Sequence, residues 1–239
     1  MKRFDPRSRA GFGAALALCI AWPSVASAGC GWLDVNGDDV QVAKVTPGKP
    51  RVYFVIDRIF KAQCPAAGAA CQDKTYLVPG DVVVTGKREG AFVCAGFVNT
   101  RGSTTIGWFP AAALAPLPAA ERQPNDWVGH WSAPEQDITI KAAGGGMLHV
   151  SGDATWGMGD KWRRENGAVH IGEVKGTARP VGGVIAFTEG DDKTLPYTAG
   201  DEDACSIRMV RRGPYLLARD NNQCGGLNVS FTGFYRRKP

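Results

Sequence analysis

Asn228-Val229-Ser230-Phe231-Thr232-Gly233-Phe234-Tyr235-Arg236 places Val229, Phe231, Gly233 and Tyr235 at every second position, the period of a strand with one face toward a core. Working back along the chain, strand-like segments recur at 215–219, 205–211, 183–188, 168–174, 147–156 and 137–141, and Asp126-Trp127-Val128-Gly129-His130-Trp131 opens the series. Gly144-Gly145-Gly146, Glu165-Asn166-Gly167, Glu189-Gly190-Asp191 and Arg212-Gly213-Pro214 supply turn residues between them. Eight short strands with short links predict a closed antiparallel barrel over 126–239, an arrangement that leaves no sheet edge bare.

Upstream, Pro116 and Pro118 in an alanine-rich stretch predict an extended connector over 116–125. Before it, a smaller β domain is expected over 29–115, with strands at 41–45 and 52–60. The run Val52-Tyr53-Phe54-Val55-Ile56 predicts burial on both faces. The whole molecule is therefore expected to be all-β.

Two resemblances refine this. Tyr76-Leu77-Val78-Pro79-Gly80-Asp81-Val82-Val83-Val84, then Phe92-Val93-Cys94-Ala95-Gly96-Phe97-Val98, then Gly107-Trp108-Phe109-Pro110 and Leu114 resembles the bacterial SH3-like domain over residues 76–114. It lacks that family's Asn-Val-Arg-x-Gly-Pro opening and has Phe92 where a tryptophan is common. The resemblance implies a small barrel with an aromatic groove for peptide or glycan, for which Tyr76, Phe97 and Trp108 are the candidates.

In the second half, Gly129-x-Trp131 on the first strand and Arg236-Arg237 on the last resemble the lipocalin-like (calycin) pattern. This implies that Trp131 packs beneath Arg236 and closes the barrel floor. Trp127-x-Gly129-x-Trp131 together with Cys224-Gly225-Gly226-x-Asn228-Val229-x-Phe231-x-Gly233-x-Tyr235-x-Arg237 is also similar to a recurrent module of exported bacterial proteins that has no assigned activity.

Residues 1–28 carry Lys2, Arg3, Arg7 and Arg9, an apolar run from Ala10 to Trp22, and Ala26-Ser27-Ala28. That is the layout of a secretory signal peptide cut after Ala28, and it predicts a periplasmic or secreted protein. Cys19 leaves with the signal. The six remaining cysteines fall four before the connector (Cys30, Cys64, Cys71, Cys94) and two after it (Cys205, Cys224), so each half can close its own disulfides. A local Cys64–Cys71 bridge, leaving Cys30 for Cys94, is one of three possible pairings. Cys30 is read as a disulfide partner in preference to a lipid attachment site, because no aliphatic residue stands three places before it.

Removing the signal lowers the net charge from +5 to about +2, which argues against nucleic acid as a partner. No second apolar stretch reaches membrane-spanning length, so no transmembrane segment is expected. The oligomeric state is not encoded in any motif.

The chain has three histidines, His130, His149 and His170, without G-x-S-x-G, H-E-x-x-H or H-x-H spacing, and no cofactor or metal motif. Asp34-x-Asn36-x-Asp38 lacks the glycine and closing glutamate of a calcium loop. Trp156-Gly157-Met158-Gly159-Asp160-Lys161-Trp162-Arg163-Arg164 concentrates hot-spot residue types on a glycine-hinged connection, which makes Trp156, Trp162, Arg163 and Arg164 contact candidates.

The expectation is a non-enzymatic binding protein for peptidoglycan or another envelope component, or for an envelope-acting protein such as a cell-wall hydrolase that it would inhibit. The alternatives are a small-molecule carrier, with a cavity lined by some of Trp131, Ile140, Val150, Val169 and Phe231, or a cell-wall hydrolase accessory or hydrolase with an unrecognised site, whose activity on cell-wall polymer would depend on His149 or Glu173.

Overall fold

Short apolar segments punctuated by turns build two antiparallel sheets. The computed structural model describes residues 29–100, 102–118, 126–198 and 202–238; the expected signal segment 1–28 and residues 119–125 of the expected connector lie outside them. No helix among the described residues is long and apolar enough to cross a membrane.

After a one-turn helix α1 (Trp32–Val35), the first sheet contains β1 (Gln41–Val45), β2 (Val52–Val55), β3 (Gln72–Leu77), β4 (Val82–Glu89), β5 (Phe92–Val98), β6 (Thr104–Pro110) and β7 (Leu114–Pro116). The strands run β3-β2-β6-β5-β4-β1-β7 across a half-barrel. Alternation gives this sheet two buried faces: Val45, Phe54, Leu77, Val83 and Phe109 line one, and Val84, Cys94, Val98 and Trp108 line the other.

Strand β2 departs from expectation. It stops at Val55 and buries one face, with Val52 and Phe54 inside and Tyr53 and Val55 half-buried. Asp57 ends it: Ile59 N donates to the Asp57 carboxylate at 3.0 Å, and Phe60 N and Lys61 N donate to its carbonyl. These bonds turn the chain away from the sheet.

The second sheet contains β8 (Gly129–Ala133), β9 (Gln136–Ala142), β10 (Leu148–Trp156), β11 (His170–Ala178), β12 (Val184–Glu189), β13 (Thr194–Leu195), β14 (Ser206–Arg212), β15 (Tyr215–Asp220) and β16 (Gly233–Arg237). A short helix α2 (Lys161–Glu165) links β10 to β11. The order is β11-β10-β9-β8-β16-β15-β14-β12-β13, a nearly closed barrel of nine strands, the eight expected plus the two-residue β13.

Between β11 and the β12–β13 hairpin the ladder is replaced by side chains. Lys175 N donates to the Glu189 carboxylate, and Thr177 N donates to Thr194 Oγ1 at 2.8 Å. Strand-edge donors are thus occupied without a further strand. Burial raises the Glu189 pKa above its ordinary 4.5, with Lys175 opposing and Glu173 reinforcing that shift.

Strand β16 also starts later than expected, at Gly233, because Asp220 takes over the donors before it. Its carboxylate accepts from Phe231 N at 3.0 Å, Ser230 Oγ at 2.7 Å and Thr232 Oγ1 at 2.6 Å. Val229, Phe231 and Tyr235 nevertheless all point into the barrel core.

That interior is filled. Trp131, Ile140, Val150 and Phe231, expected to line a cavity, belong to one buried cluster with Phe187 and Tyr235, while Val169 is half-buried at the rim. The rings use space that glycines leave open: a Cβ on Gly152 would sit 3.1 Å from Phe231, and one on Gly176 would collide with Phe187.

The outer face of β15 and β16 is apolar too. Tyr215, Leu217 and Phe234 join Val35, Val84 and Trp108 in a core shared by both sheets. Phe234 lies 4.6 Å from the Trp32 ring and over Gly96, where any Cβ would strike it. Tyr215 Oη donates to Val82 O at 2.6 Å, and Arg212 Nε to Val40 O at 2.9 Å. Three disulfides staple the structure, Cys30–Cys94, Cys64–Cys71 and Cys205–Cys224. A closed loop the size of the last is worth about 3 kcal/mol in the chain-entropy model.

Candidate functional site

The aromatic groove expected on the half-barrel does not assemble. Trp108 is fully buried, because it pairs with Cys94 across β5–β6 and faces the shared core. Phe97, three residues beyond Cys94, points to the opposite face and is half-buried against the other cluster. Tyr76 stands apart on the edge strand β3, 39% exposed, with the Arg51 guanidinium 4.5 Å from its ring and Tyr53 edge-on at 5.6 Å. Tyr76 is thus the one expected groove residue that is exposed, Trp108 being buried and Phe97 half-buried.

At the barrel floor Trp131 is buried as expected, but Arg236 is not its partner. Tyr235 points inward, so Arg236 turns outward and lies 5.7 Å from the Tyr215 ring. The cation beside Trp131 is Arg211 on β14, 5.6 Å from the indole centroid. It shares inward parity with Ile207 and Met209. Trp131 Nε1 donates to Trp127 O at 2.9 Å, and Arg237, opposite Trp131 in register, donates to Val128 O.

The barrel mouth is where the expected contact residues do meet. Trp156 ends β10 with inward parity, contacted by the Arg163 guanidinium at 3.9 Å and the His170 ring at 5.3 Å. Asp160 caps α2, its carboxylate accepting from Arg163 N at 3.0 Å, and Arg164 donates to Met158 O. Trp156, Arg163 and Arg164 therefore build a mount. Trp162 is what the mount presents, at 64% exposure, and Met158 of the same segment is 43% exposed. Ile171 and Leu227 are exposed at the same end, joined through Gly226 N to Ile171 O at 3.0 Å and His170 to Leu227 O.

Glu135 is the residue that sequence reasoning missed. In the β8–β9 turn it takes φ 58°, a left-handed conformation unusual for a non-glycine residue. Its carboxylate accepts from Gly157 N at 2.9 Å and from Gly159 N, fixing the start of the Trp156–Arg164 segment. Its carbonyl accepts from Thr155 N at 2.8 Å. A strained residue whose side chain clamps a surface loop is a pointer to function. The signal available in sequence was Pro134-Glu135 standing in a two-residue hairpin turn.

The histidines are separately engaged. His149 bonds Thr177 Oγ1 at 3.1 Å, and His170 belongs to the mouth. His130 bonds Asp137 at 2.9 Å and Thr139 Oγ1 at 3.1 Å, with Lys238 also on Asp137. Thr139, His130 and Asp137 have the order of a nucleophile, base and orienting carboxylate. They lie on the outer face of paired strands, where neighbouring backbone N–H groups are committed to ladders. Stabilising a developing oxyanion needs donors aimed at it, so the trio reads as a cross-strand network. Glu173 is exposed on the outer face of β11, away from His149's partners.

Comparison of the chain with protein-family models, with curated proteins and with solved structures returns no match in any of the three.

Proposed function

We propose that the chain is an exported, non-catalytic binding protein of the cell envelope that recognises an envelope-acting protein through the barrel mouth. The observation that carries this reading is Trp162, a large apolar side chain held out in solvent on a capped, clamped and stacked mount. Exposed aromatics fixed in advance lose little entropy on binding and are the residue types that dominate interface energetics. Three disulfides fit an oxidising compartment, in keeping with the expected signal segment and a periplasmic or secreted location. The filled barrel interior speaks against carriage of a small molecule inside it.

A second reading has its own observation. Tyr76, with Arg51 over its ring and Tyr53 beside it, offers a flat platform suited to a glycan or peptide of the wall. In this reading peptidoglycan itself is the ligand, and an SH3-like half supplies the contact.

The two are separated by immobilising oxidised protein (29–239) and its Trp162→Ala and Tyr76→Ala variants, then measuring retention from envelope extract and sedimentation with sacculi. The mouth reading predicts a discrete retained protein, lost with Trp162→Ala and kept with Tyr76→Ala. Sedimentation with sacculi that depends on Tyr76 alone would replace it with the wall reading. Retention unaffected by either change would overturn both.

A further inference from the structure

Pro65-Ala66-Ala67-Gly68-Ala69-Ala70 has no large side chain to bury, yet the loop it forms is pinned. The Cys64–Cys71 disulfide closes it. Cys71 N donates to Gly68 O at 3.2 Å, Ile56 N to Cys71 O at 2.8 Å, and Lys61 Nζ to Ala70 O at 2.6 Å. Residues 67–70 are exposed, and their small side chains leave the backbone within reach of a ligand.

This loop forms part of the wall of a groove of about 520 Å3 on the half-barrel, joined by β2, by Phe92, and by Pro110 and Ala112 at and just past the end of β6. Its volume is within the range of about 300–1,000 Å3 usual for ligand pockets. The groove lies where pairing between β2 and β6 stops. The two strands pair at Val55–Trp108, and Pro110 cannot extend the ladder. The bond from Ala111 N to Ala91 O across β5–β6 leaves the Pro110 backbone facing β2, where it has no N–H to donate.

The wall contains no carboxylate among the described residues. Its charged residues are Lys49 and Arg51, both exposed, and neither forms a hydrogen bond or ion pair with another described residue. Arg51 rests on the Tyr76 ring, 4.5 Å from its centroid, a contact that engages none of its N–H donors in a hydrogen bond. Gln72, opposite Val55 in register, adds a side-chain amide that is likewise unpaired.

We infer that this groove binds the C-terminal end of a polypeptide, an extended segment with small or apolar last residues and a free carboxylate. Charge complementarity selects the carboxylate, because two unneutralised cations stand at the start of β2 in a largely apolar groove. The Gln72 amide and the exposed loop backbone supply the donors and acceptors that a peptide unit needs. The chain's own end, Arg236-Arg237-Lys238-Pro239, carries the wrong charge, so the occupant is not a second copy. The barrel-mouth reading uses none of these residues. The wall reading shares Arg51 and Tyr53 but assigns another ligand, so sedimentation with sacculi tests the one and peptide binding the other.

The test uses four fluorescein-labelled pentapeptides ending in alanine, valine, leucine or phenylalanine, each as free acid and as C-terminal amide. They are titrated into oxidised protein (29–239) and followed by fluorescence anisotropy. The expected result is saturable binding of at least one acid, with its amide weaker by about tenfold or more, the order expected for losing charge-assisted bonds. Lys49→Gln/Arg51→Gln should bring the acid down to the level of the amide. Lys141→Gln/Lys193→Gln, which removes the same charge at exposed positions elsewhere, should change acid binding less than about twofold, since distant exposed charges are screened. Ala112→Trp, also at an exposed position, should fill the groove and abolish binding of acid and amide alike. No saturable binding of any acid, equal affinity for acid and amide, or equal losses in the two double variants would overturn the inference. Sedimentation with sacculi that depends on Lys49, with none of the acids bound, would overturn it in favour of a wall ligand.

Discussion

Trp108 in the half-barrel and Trp162 at the barrel mouth are both tryptophans on the sequence's strongest binding motifs, and the structure treats them oppositely. Trp108 is sealed between β5, α1 and the outer face of the barrel, whereas Trp162 stands in solvent on a helix of one turn. The half-barrel cannot spare its tryptophan, because its second face is a core completed by Tyr215, Leu217 and Phe234 from the other sheet. The barrel fills its own interior and so can leave an aromatic outside. In this molecule the sheet that fills its own interior holds Trp162 in solvent, and the sheet that shares its core keeps Trp108 inside.

The comparison breaks most visibly at Trp108. Trp108→Ala should cost about 3–5 kcal/mol, the usual range for emptying a buried aromatic site. Trp162→Ala should stay within about 0.5 kcal/mol while losing partner retention. Denaturant midpoints of the two variants measured side by side check the contrast, and similar losses of stability would erase it.

Phe234→Ala tests the shared core from the barrel side. We expect a loss of about 3 kcal/mol or more, because the ring is buried against Trp32 and fills the space above Gly96. Amide exchange should accelerate in β4 and β5 more than in β9 and β10. Uniform acceleration would show that the two sheets do not differ in their dependence on the joint.

Glu135→Gly is a subtler probe of the mount. It relieves a left-handed backbone worth about 1 kcal/mol and removes two charge-assisted bonds to Gly157 and Gly159. Stability should therefore change little, while affinity falls several-fold because the loop must be ordered on binding. Unchanged affinity would mean that the clamp has no part in presenting Trp162.

The smallest expected effect concerns Glu189 at the barrel gap. Its folded pKa is raised by burial, so its stabilising contribution is complete below its ordinary 4.5 and is lost as pH rises through the raised value. Glu189→Gln should abolish that loss. Going from about pH 4 to about pH 7, the wild type should lose stability relative to the variant. The opposite trend in denaturant midpoints would show that the Lys175 bond outweighs desolvation.

Much of the fold is written locally. Alternation at Val229, Phe231 and Tyr235, and the glycine-rich turns, place eight of the nine barrel strands, and the three disulfides follow the even division of cysteines. What escapes local reading depends on long-range partners. Tyr215-Leu216-Leu217-Ala218 is continuously apolar and buried on both faces, a signal that its outer side would be covered, though not by what. Arg236 could have been removed from the barrel floor by carrying the Tyr235 alternation one residue further. Arg211 as the replacement required knowing that β14 faces β8 across the interior. Arg211 and residues 236–238 line one cleft through the closure of the sheet, a proximity that no sequence window contains.

The most direct test of the central claim is site-specific photocrosslinking in intact cells, with a benzoylphenylalanine placed at position 162 and, for comparison, at position 76. The account predicts a discrete crosslinked protein from position 162 and none of that size from position 76. Crosslinks from position 76 alone, or none from position 162, would contradict it.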